Sequence, residues 1–99
     1  PEPYNNLAVL YASTGQLERA RVALERAAIA NPKSVTVQEN LGDVYLRLAE
    51  EAYQRATKLE PARTSLRTRL QAVRTIVNTP RAAAATPPDS PFLNGATPQ

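Results

Sequence analysis

The sequence predicts an all-α fold built from a helical hairpin, one long helix and a C-terminal capping helix. Three observations carry this. Apolar residues recur at i, i+3, i+4, i+7 spacing through residues 4–28, 41–59 and 66–77. Pro32, Pro61 and Pro80 each close one of these stretches, because proline cannot continue a helix. Between Gly42 and Pro61 there is no glycine or proline to break the third pattern.

The first stretch holds two helices. Tyr4, Leu7, Ala8, Leu10 and Tyr11 make one apolar face, Ser13-Thr14-Gly15 interrupts, and Leu17, Ala20, Leu24, Ala27 and Ala28 resume until Asn31-Pro32. Small residues at Ala8 and Ala20 allow the two backbones to approach, with Tyr4, Tyr11, Leu17 and Leu24 expected to supply buried area around them. Leu41, Val44, Tyr45, Leu48, Ala49, Ala52, Tyr53, Ala56 and Leu59 then form one unbroken series, which predicts a single helix from about residue 37 to 59, roughly 35 Å long. Leu66, Leu70, Val73 and Val77 make a narrower stripe among Arg63, Arg67, Arg69 and Arg74, suited to capping a stack against water. The chain divides accordingly into 1–32, 33–61, 62–78 and a Pro/Ala-rich tail, 79–99, expected to lack fixed structure. In that tail Phe92 and Leu93 stand together as a short docking motif or a sticky spot.

Ninety-nine residues bound the chain to a single small domain with little core to spend. It contains neither Cys nor His, which removes thiol and imidazole catalysis, disulfides, zinc sites and haem ligation. The three glycines, Gly15, Gly42 and Gly95, are too scattered to cradle a phosphate. Glu50 with Glu51 and Glu39 with Asp43 are the nearest carboxylate pairs, but both lie on polar positions of an amphipathic helix, where solvation explains them. No enzyme, cofactor or metal site is expected. The longest apolar run, residues 7–12, is far short of the roughly 20 residues that span a bilayer. Net charge is +3, with five Arg and no acid in residues 61–81. Those Arg have no aromatic side chains among them to stack bases, which counts against nucleic acid. Arg63, Arg67 and Arg74 are expected on a solvated helix face.

Tyr4, Leu7, Ala8, Tyr11, Gly15, Ala20, Leu24, Ala27 and Pro32 fall on the positions that define a tetratricopeptide repeat, whose period is about 34 residues. The chain therefore resembles that family. Gln38, Leu41, Gly42 and Tyr45 begin the pattern again, and Ala49, Tyr53, Ala56 and Pro61 end it. Pro61, however, follows Pro32 by only 29 positions, and the five that are lacking hold the family's turn between Leu48 and Ala49. The unbroken series points to a single long helix; the competing arrangement is an ordinary hairpin, which a turn at those five positions would restore. This shortened form looks like small proteobacterial tetratricopeptide proteins, which implies a bacterial protein of the cytoplasm or periplasm, with any targeting segment absent from this chain.

The resemblance implies a groove, lined by the first helix of each repeat, that receives a peptide or helix of another protein. Carried over by position, its residues are Asn5, Val9, Ala12, Glu39, Asn40, Asp43, Arg47 and Arg69. The carboxylate clamp of the family's chaperone-binding branch is not implied, because only Asn40 and Arg69 match it, and Asn40 could instead tie a neighbouring group. A protein-interaction adaptor is the leading expectation. Its rival is a homodimerisation module in which the long helix pairs through Tyr45, Leu48, Ala52, Tyr53, Ala56 and Leu59, exchange of identical elements being a low-cost route to dimers.

Overall fold

The computed structural model describes residues 2–80; the expectations for the tail, including Phe92 and Leu93, lie outside the described residues from 81 onward. Among the described residues there are four helices: α1 (Glu2–Ser13), α2 (Leu17–Ala30), α3 (Val35–Leu59) and α4 (Thr64–Val77).

Each boundary has a local cause. Gly15 takes φ 79°, a left-handed conformation that costs glycine little. With it, the Gly15 N–H reaches the Ala12 carbonyl at 3.1 Å and the Gln16 N–H reaches the Tyr11 carbonyl at 2.8 Å, a Schellman closure of α1. Both α2 and α3 end on a residue followed by proline: Asn31 donates to the Ala27 carbonyl, and Glu60 to the Ala56 carbonyl, in the same way. At the start of α3 the Ser34 hydroxyl accepts from the Val37 N–H at 3.2 Å. This cap starts the helix at Val35, two residues before the start that the apolar series predicts, because capping rather than hydrophobicity decides where the first turn forms. The predicted single helix is what forms, 25 residues and about 37 Å long.

Packing divides α3 into two parts. Its first part meets the α1–α2 hairpin, where Ala8, Ala20, Ala23, Leu24, Ala27, Val37, Leu41 and Val44 make one core, with Tyr11, Ala12, Ala28 and Leu48 against it. Ala8, Ala20 and Ala27 are almost wholly buried, so the small residues do mark the closest approach of the helices. Leu24 is the largest side chain buried completely, a burial worth about 1.5–3 kcal/mol. The second part of α3 is covered by α4, which folds back after Pro61 and buries Leu70.

Two expectations about packing are corrected. Tyr4 is 40% exposed, since it lies on the hairpin face turned away from α3. Arg74 does not belong to a merely solvated face: its Nε donates to Glu50 Oε2 at 3.1 Å, joining α4 to α3. Arg63 and Arg67 are exposed as expected.

Candidate functional site

On α1, Asn5, Ala8, Val9 and Ala12 are spaced i, i+3, i+4, i+7 and so share one face. That face looks along α3 at Asn40, Asp43, Val44 and Arg47. Because Ala8 and Ala12 are small, the helices leave a cleft of about 500 Å³ between them, lined by Ala8, Val9, Ala12, Ser13, Leu24, Asn40, Asp43, Val44 and Arg47. One bond fixes its width at the end near the N-terminus: Asn40 Nδ2 donates to Asn5 Oδ1 at 2.9 Å, and Asn5 is the buried polar residue of the described chain. Asn40 therefore does tie a neighbour, and the neighbour is a side chain of the other helix.

A second cleft, about 470 Å³, opens on the adjoining side of α3 between Glu39, Asp43, Leu46 and Arg47 and the end of α4 at Ile76, Val77 and Thr79. Asp43 and Arg47 line both clefts and form the ridge between them. The expected groove residues are thus distributed. Val9, Ala12, Asn40, Asp43 and Arg47 share the first cleft, Asn5 braces it, and Glu39 belongs to the second. Arg69 is exposed on α4 and is not among the residues lining either. Ile76, Val77 and Thr79 were not foreseen, because where α4 ends depends on how far it folds back along α3, which spacing alone does not reveal.

Another unforeseen surface lies across the hairpin. Tyr4, Leu7, Tyr11, Val22 and Ala23 floor a shallow, mostly apolar trough of about 380 Å³ rimmed by Glu18, Arg19 and Arg26. The Arg19 guanidinium sits 5.9 Å from the Tyr11 ring centroid, a cation–π distance. The signal is present in the sequence as the apolar positions 4, 7 and 11, of which Tyr4 and Tyr11 are expected to be buried and Tyr11 does pack against the core.

The residues named for self-association have unequal surroundings. Leu48 packs against the core, Tyr53 and Ala56 are half-buried, and Ala52 and Leu59 are exposed. Tyr45 is half-exposed, and its hydroxyl donates to Glu25 Oε2 at 2.9 Å. Glu25 also accepts from Arg21 Nη1 at 2.9 Å, and Arg21 Nε in turn pairs with Glu18. The Arg21 bond first, then the Tyr45 bond, holds the Glu25 carboxyl below the usual carboxylate range. The same carboxylate raises the Tyr45 phenol above its ordinary value, and Glu18 with Glu25 raises the Arg21 guanidinium.

Among the described residues no helix is long and apolar enough to cross a membrane. The clefts are lined by small apolar and mixed-charge side chains. A family model described as the tetratricopeptide repeat matches residues 1–34. No curated protein and no solved structure matches the chain.

Proposed function

We propose that this chain, a tetratricopeptide-repeat protein by its residues 1–34, is a non-catalytic adaptor that holds a segment of another protein between α1 and α3. Tetratricopeptide repeats generally mediate protein–protein interaction, and the family is typically non-catalytic. The observation that supports the reading is the cleft of about 500 Å³ to which the first helix of each repeat contributes, with Val9 and Ala12 on one wall and Asn40, Asp43 and Arg47 on the other. Apolar side chains on α1 would take a ligand's apolar residue, and the polar wall would take its backbone amides. Glu39 and Asp43 make a basic or neutral segment the better electrostatic match.

A displayed library of short random peptides, selected on the purified chain, supplies the ligand for the test. Selected peptides are expected to be neutral or basic, and fluorescence polarisation should show binding at least tenfold weaker for Val9→Arg and for Glu39→Lys with Asp43→Lys. Arg26→Ala, on the far side of the hairpin, should bind as the parent does. Peptides that bind all these variants equally, or selection of none, would count against the cleft.

A further inference from the structure

Helix α3 carries a third face that runs between the side that meets α2, to which the Tyr45 hydroxyl reaches at Glu25, and the side that meets α4, beside which Ala49 and Ala56 are half-buried. Starting at Val35 and advancing by alternating steps of three and four residues, it passes through Gln38, Gly42, Tyr45, Ala49, Ala52, Ala56 and ends at Leu59. This is the spacing of a coiled-coil seam, sustained for the whole helix, about three and a half heptads. The seam is uncovered where it carries its largest side chains: Val35 is 80% exposed, Leu59 82% and Tyr45 46%.

Gly42 is the sharpest feature of this face. A glycine inside a helix weakens it, and is retained to advantage where another backbone must come close. Here a Cβ at Gly42 would meet nothing within 4 Å. Its counterpart one repeat earlier, Ala8, is 1% exposed in the core to which α2 contributes Ala20, Leu24 and Ala27 and α3 contributes Val37, Leu41 and Val44. The first repeat thus shows what covers such a position: a helix with small residues at these places. The chain has one more helix segment of that pattern, Ala49, Tyr53 and Ala56, but it is the continuation of α3 itself and cannot fold back onto Gly42.

We propose that a second copy of the chain supplies it, with the two α3 helices lying antiparallel along their full length. The seam is self-complementary in this register. Val35 meets the other copy's Leu59, Gln38 meets Ala56, Gly42 meets Ala52, and Tyr45 meets Ala49, each contact occurring twice about the two-fold axis. Small residues occupy one or both sides of every inner layer, so the backbones approach closely, and the bulky exposed pair closes each end. The second repeat, broken within one chain, is rebuilt between two. Asn40, Asp43 and Arg47 lie on the opposite side of α3, so the dimer carries two outward-facing clefts.

Light scattering at high micromolar concentration should give twice 10.8 kDa for the parent; a monomer at that concentration overturns the proposal. Ala52→Arg should raise the dissociation constant at least tenfold with helix content unchanged by circular dichroism, whereas Ala72→Arg on the exposed side of α4 should leave it alone. A dimer that survives Ala52→Arg overturns the proposal too. The chain has no cysteine, so register can be read by mixing Val35→Cys and Leu59→Cys proteins under mild oxidation. A mixed disulfide between them is expected; Leu59→Cys linking chiefly to itself indicates parallel pairing and rejects this register. Peptide binding in the cleft should be unchanged by Ala52→Arg, which separates failure of this interface from failure of the adaptor reading.

Discussion

Residues 1–32 and 33–61 differ by a turn, and that turn decides what each helix touches. In the first, Gly15 reverses the chain and α2 comes back over α1, burying Ala8. In the second, nothing between Leu48 and Ala49 breaks the helix, α3 runs straight, and the equivalent Gly42 faces open space. Similar residues in similar order thus yield a closed hairpin in one place and a rod in the other. The family match covers residues 1–34, the segment in which both helices and the turn are present. Small residues specify only that a neighbour can come close. Chain reversal determines whether the neighbour belongs to the same molecule.

The largest expected effect comes from restoring the turn. Inserting five residues with a central glycine between Leu48 and Ala49 should split α3 and let its second part close over Gly42. The inserted chain should then sediment as a monomer and show fast amide exchange confined to the new turn. Slow exchange through the insertion, with unchanged mass, would mean that the helix accommodates it and that the comparison between the two segments has been misread.

Next come substitutions at the two equivalent small positions. Ala8→Leu forces methyl groups into a core with no room, an overpacking cost of about 1–3 kcal/mol. Gly42→Ala should go the other way and stabilise by up to about 1 kcal/mol, since it adds helix propensity without a clash. Urea titrations at a dilution where the parent is monomeric compare them directly. Opposite signs are expected; a loss at Gly42 comparable with that at Ala8 would show that something within the chain packs there.

Most of the fold was legible because its determinants are local. Pro32, Pro61, Gly15 and the unbroken series ending at Leu59 each act within a turn or two of themselves, so periodicity and punctuation located every helix. The site was legible in part. Val9, Ala12, Asn40, Asp43 and Arg47 are neighbours along one cleft because one helix pairing brings them there. Glu39 parts from them into a second cleft whose other wall, Ile76 to Thr79, depends on the path of α4 after a straight α3. Tyr4 was misplaced for a related reason: an apolar helix face is buried only if another element lies on it, and periodicity names the face without naming its cover.

The smallest effect concerns the polar tie between α2 and α3, in which Tyr45 of α3 and Arg21 of α2 both bond Glu25. Folding lowers the Glu25 pKa, so between its folded and unfolded values the unfolded chain binds more protons and stability rises with pH. The contribution is complete above the ordinary carboxylate pKa and is lost as pH falls through the lowered one. Folding raises the Tyr45 pKa, so its share is present below the ordinary phenol range and is lost as pH rises through the raised value. Solvent screens all three groups, which keeps the effect small. Urea midpoints measured across both ranges should show a flatter acid limb for Glu25→Gln. Tyr45→Phe should flatten the alkaline limb and keep most of the acid one, because Arg21 is the larger cause of the Glu25 shift. An acid limb that Tyr45→Phe removes as fully as Glu25→Gln does would reverse that order, and would make the link between α2 and α3, rather than the pair within α2, the main hold on Glu25.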